Sequence, residues 1–103
     1  MYLVHVHLRT HPRGEYLPEW TAPALAHCAA GFDGFEHVTV HAAEGPHPVI
    51  GLYLRAPSLE EAESAAEGLW WSAWSTHHRL RDWEFVRAEV PLLMPEVNPR
   101  PRD

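Results

Sequence analysis

Residues 49–65 read Val-Ile-Gly-Leu-Tyr-Leu-Arg-Ala-Pro-Ser-Leu-Glu-Glu-Ala-Glu-Ser-Ala, and their periodicity changes halfway. From Val49 to Arg55 the aliphatic residues Ile50, Leu52 and Leu54 fall at every second position, the period of a strand with two unlike faces. Ser58-Leu59-Glu60-Glu61 then has the form of a capping box. The Ser hydroxyl is spaced to accept a backbone N–H three residues on, and Glu61 is spaced to reciprocate. Beyond it Leu59, Ala62, Ala66, Leu69 and Ala73 recur at three- and four-residue steps, so an amphipathic helix is predicted to about His78.

Working outward, His37-Val38-Thr39-Val40-His41 alternates as well, and the Glu44-Gly45-Pro46-His47-Pro48 turn joins it to the strand at Val49 as a hairpin. Upstream, Tyr2 to Arg9 alternates as a first strand. A loop with Pro12 and Gly14 follows, then a short helix that starts at Pro18 or at Thr21-Ala22-Pro23 and ends at Gly31. Downstream, Asp82 to Val90 forms the last strand. The tail 91–103 carries four prolines, which exclude helix and central strand and favour an extended arm.

Strand, helix, strand, strand, helix, strand, with a right-handed crossover in each half, is the ferredoxin-like βαββαβ arrangement of the α+β class. Its antiparallel sheet has the order 4-1-3-2, with both helices on one face. Residues 1–90 form this one domain and 91–103 the arm. A chain of 103 residues has material for a single core.

The strand that runs into a capped helix at Gly51–Ala65, together with the opening Met1-Tyr-Leu-Val-His-Val-His-Leu8, resembles the small dimeric α+β barrel proteins. The likeness is to the group holding muconolactone isomerase and the cofactor-free monooxygenases of aromatic polyketide pathways. The resemblance implies a homodimer formed by facing sheets, without cofactor. It also implies an isomerase, cyclase or monooxygenase type of activity on an apolar cyclic small molecule of aromatic or secondary metabolism.

Composition narrows the chemistry independently. All eight basic residues are Arg, so Schiff-base lysines, lysine-anchored pyridoxal phosphate and the P-loop lysine are excluded as features of this chain. A net charge of -6 lacks the cationic footprint that nucleic acid requires. No GxSxG, CxxC or Gly-rich phosphate loop occurs in the sequence, which leaves hydrolase, thiol-redox and nucleotide-binding readings without support. Cys28 lies among alanines and reads as a small buried hydrophobe. The N-terminus reads as a strand, with neither a signal peptide nor a membrane span, which gives the expectation of a cytoplasmic protein. Abundant Ala, Arg, Pro and His without Lys point to a GC-rich bacterial genome.

Strand alternation also predicts which residues face the helices and which do not. With Val4, Val6, Val38, Val40, Leu52, Leu54, Val86 and Val90 beneath the helices, the uncovered face receives His5, His7, Arg9, His37, Thr39, His41, Tyr53, Arg55, Trp83, Phe85, Arg87 and Glu89. Aromatic rings among polar groups suit an interface or a cavity lining. Three readings of the histidines stand open. They are half-buried interface residues; or His5, His7, His41 and Tyr53 act as acid and base on an organic ligand held by Arg9, Arg55, Trp70, Trp74, Trp83 and Phe85; or His5, His7 and His41 hold a divalent metal. Trp70, Trp71 and Trp74 make the end of the second helix apolar around most of its circumference, and the Leu92-Leu93-Met94 segment, a partner or a ligand is predicted to cover what the sheet does not.

Overall fold

A computed structural model describes residues 1–41 and 48–91, apart from the His41 side chain. The predicted turn at 44–47, the Leu92-Leu93-Met94 segment and the rest of the arm lie outside the described residues. The elements are β1 (Tyr2–Leu8), α1 (Thr21–Cys28), β2 (Phe35–His41), β3 (Val49–Leu54), α2 (Leu59–Thr76) and β4 (Phe85–Glu89), with 3-10 turns at Ala29–Gly31 and His78–Leu80. All pairings are antiparallel, and the order across the sheet is β2-β3-β1-β4, which from the opposite edge reads 4-1-3-2. This small α+β unit is compatible with the ferredoxin-like arrangement. Among the described residues no helix is long and apolar enough to cross a membrane.

Both central strands bury alternate side chains completely. Val4, Val6 and Leu8 of β1 and Ile50, Leu52 and Leu54 of β3 are each 0% exposed. Val6, Ile50 and Leu52 meet Leu25 of α1 and Trp70 of α2 without a void between them. Removing each such side chain from water contributes about 1.5–3 kcal/mol, so this layer holds the sheet to the helices. Helix α2 starts where the sequence indicates, because Ser58 Oγ accepts from Glu61 N–H at 3.2 Å. It stops at Thr76, two residues before the predicted end. Its predicted stripe of Ala62, Ala66, Leu69 and Ala73 is buried, but Leu59 is exposed.

At Gly34 the chain passes so close to β3 that a Cβ there would collide with the carbonyl oxygen of Arg55, whose own N–H donates to Gly34 O at 2.7 Å. Only glycine permits that approach. Cys28, expected to be buried, is only partly buried, packed against the edge of the core.

Strand β4 corrects part of the expected face assignment. His7 pairs with Arg87, but the next pairing joins Leu8 to Phe85, so Val86 is an extra residue in a β-bulge. The bulge reverses the alternation below it. Phe85 therefore lies on the helix side, 5.6 Å from the ring of Trp71, and Val86 is 40% exposed instead of buried. Trp83, also expected on the uncovered face, is buried in the core with Leu80. Alternation along β4 breaks at Val86, where one residue is looped out.

Replacing Trp70 by Ala removes the largest fully buried side chain at the junction of sheet and helices. The expected loss is about 3–5 kcal/mol, measured by urea unfolding. Trp71→Ala, at an exposed site, is expected to cost well under half as much.

Candidate functional site

On the face of the sheet away from the helices the strand register defines three rows of side chains. The central row runs Glu89, His5, Gly51, Thr39; the rows beside it run Arg87, His7, Val49, His41 and Leu3, Tyr53, His37. Gly51, which supplies no side chain, stands between His5 and Thr39 at the middle of the face and is itself buried. Tyr53 and Val49 flank Gly51 along β3 on the same face.

Six side chains of this face are in ring contact or charge contact. The His5 and His7 rings stand edge to face with centroids 6.1 Å apart, and the His37 and Tyr53 rings tilt together at 5.8 Å. Glu89 bridges two neighbours, with Oε2 2.9 Å from His7 Nε2 and Oε1 3.1 Å from Arg87 Nε. The His7 contact is off the line of a hydrogen bond, since the buried Nε2 makes none. It is an electrostatic contact that orients the ring. The Glu89 carboxyl is held below its ordinary value of 4.5, first by the hydrogen bond from Arg87, with the charges of Arg87 and His7 adding to it and desolvation opposing.

Other predicted site residues are dispersed. Trp70 and Trp83 are interior core residues, and Phe85 is on the helix side. Trp74 packs against Trp71, with the Arg81 guanidinium 5.2 Å above its ring. The expected tryptophan-lined ligand site is therefore not assembled within one chain. Arg9 pairs with Glu84 at 2.8 Å, while Arg55, beside β2, is held by Glu36 and by the carbonyl of Asp33 at 2.6 Å. The two arginines do not converge on one ligand. His41 is opposite Val49 in the register, but its side chain lies outside the described residues, as does any test of a His5, His7, His41 metal set. Among the described residues no group of three or more His, Cys, Asp or Glu is arranged to hold a metal.

A second constellation was not foreseen from the sequence. A cavity of about 370 Å³ is lined by His11, Glu15, Tyr16, Pro18, His78, Arg79, Asp82 and Trp83. His11 is 6% exposed and packs on Trp83 at 4.6 Å. Its Nδ1 accepts the Arg13 N–H at 2.9 Å, and its Nε2 faces Asp82 at 3.3 Å and Glu15 at 3.9 Å. An Nδ1 that accepts carries no proton, so the neutral ring bears its proton on Nε2 toward the carboxylates. Both nitrogens are thus occupied and no lone pair is left to act as a base. His11 clamps the loop after β1 to the loop before β4. Its Pro12 and Gly14 neighbours mark a turn in the sequence, and Gly14, at φ 72°, completes it by donating to His11 O at 2.9 Å. Nothing in the linear pattern links it to Asp82.

Protein-family models, curated proteins and solved structures yield no match to this chain.

Two outcomes follow from these contacts. His11→Ala leaves the Arg13 N–H and Trp83 without their partner and is expected to destabilise the fold by about 1–3 kcal/mol, read by chemical denaturation. Because the Glu89 carboxyl is held low in the folded state, its stabilising contribution is complete above about pH 4.5 and is lost as pH falls through the lowered value. Glu89→Gln is therefore expected to flatten the acid limb of a melting-temperature profile and to leave its alkaline limb unchanged. The effect is small, because the side chain is 40% exposed.

Proposed function

We propose that the protein is a homodimeric, cofactor-free acid–base catalyst acting on a small cyclic organic molecule, with the paired open sheet faces as its chamber. The observation that carries this reading is the gathering of His5, His7, His37 and Tyr53 on the face of the sheet away from the helices, with the His5–His7 and His37–Tyr53 rings in contact. A sheet covered by helices on one side only has either water or a partner on the other. Leu3, Val49 and Tyr53 supply apolar surface to that side, and His7, Arg87 and Glu89 supply both signs of charge. A surface with both signs can complement its own copy across a two-fold axis.

Within such a chamber His5 and His7 are the groups for proton transfer, since imidazole exchanges protons near neutral pH. Glu89 orients His7, and the His37 and Tyr53 rings form a wall for a planar ligand. Dimerisation by facing sheets is what the resemblance to dimeric α+β barrels implies, and here the face is lined by imidazole and phenol rings with no tryptophan among them. Isomerisation and cyclisation need only proton movement and a positioned ring, and both are within reach of these side chains.

The test combines sedimentation equilibrium with a thermal-shift screen of monocyclic and bicyclic phenols and lactones. A dimer at micromolar concentration is expected, with a ligand whose binding is abolished by Tyr53→Ala. His5→Ala and His7→Ala are expected to reduce turnover of that ligand by about 10²–10⁴-fold. A monomer across the whole concentration range would sink the proposal. Binding without turnover would reduce it to a non-catalytic ligand carrier of the same architecture.

A further inference from the structure

We infer that the β-bulge in β4 forms a binding notch for the carboxylate of a small organic anion, at the rim of the open face. The inference deepens the proposed function by naming the chemistry of its ligand, and it rests on that reading only for where the rest of the ligand lies.

The notch measures about 180 Å³ and is lined by His7, Leu8, Arg9, Val86 and Arg87. Two arginines and a histidine are among its lining residues, and no acidic residue is. Glu84 and Glu89, which are not among the lining residues, hold the same arginines through their Nε atoms at 2.8 and 3.1 Å. Arg has five N–H donors in a planar fork, so a contact through Nε leaves the fork able to bind a second oxyanion.

The bulge is what brings these groups together. With regular pairing, Val86 would follow the alternation and turn beneath the helices. As the looped-out residue it is exposed and walls the notch beside Arg87. It adds an apolar wall to a cationic floor, and that pairing favours a carboxylate on a hydrocarbon body over inorganic phosphate. The volume suits a carboxylate with no more than one ring, whose remainder would extend over His7 toward His5 and Gly51.

The test is an NMR titration of the full chain with benzoate, acetate and inorganic phosphate at neutral pH, following the Arg Nε–H, His and Val86 resonances. Benzoate is expected to shift Arg9, Arg87, His7 and Val86 together, saturating at one per chain. It should bind at least fivefold more tightly than acetate or phosphate. Arg9→Gln and Arg87→Gln are each expected to weaken benzoate at least fivefold, whereas Arg13→Gln, outside the notch, leaves it unchanged; melting curves establish that each variant is folded. Equal affinity for phosphate would overturn the carboxylate assignment, and so would shifts that never saturate or that survive both arginine substitutions. Sedimentation of the same samples separates the two proposals. Saturable benzoate binding by a monomer upholds the notch and removes the dimeric chamber, while a dimer whose His5 and Tyr53 signals respond without Arg9 and Arg87 does the reverse.

Discussion

The two central strands, β1 and β3, bury Val4, Val6, Leu8, Ile50, Leu52 and Leu54 against the helices, and the two-residue repeat of an extended chain then commits His5, His7 and Tyr53 to the opposite side. Neither strand can slip by one residue without moving three aliphatic side chains into water. The polar face is thus fixed by the apolar one. The imidazoles keep their places because the core beneath them will not change register, whatever they themselves contact.

Edge positions follow a looser rule. Both edge strands show an irregularity in their pairing, β2 between Phe35 and His37 and β4 opposite His7 and Leu8. An edge strand is restrained from one side only, so an extra residue can be looped out there without breaking a second ladder. In β4 this frees Phe85 to join Trp71 beside α2 and turns Val86 outward beside Arg87. A single added residue therefore moves an aromatic ring to the flank of the helix, and Val86 comes to line a small notch with His7, Leu8, Arg9 and Arg87.

Polar contacts divide into those that hold the fold and those available for chemistry. His11 belongs to the first kind, since its two ring nitrogens are occupied and its ring packs on a buried tryptophan. His5 and His7 sit half-buried on the uncovered face, with rings in contact and the Glu89 carboxylate alongside. Burial alone would have ranked His11 as the more notable residue. The occupancy of its nitrogens reverses that ranking.

The sequence by itself determined the order of elements, the start of α2 at Ser58, and which side of β1 and β3 carries histidine and tyrosine. Each of these is a local matter of period or capping, set by residues within a few positions of one another. Only the tertiary structure decided the location of Trp83 and Phe85, the separation of Arg9 from Arg55, and the meeting of His11 with Asp82. Those outcomes depend on a bulge and on loop packing, in which residues far apart in the chain compete for the same space. Periodicity carries no record of that competition, because it measures spacing along one strand and says nothing of what the neighbouring strand leaves out.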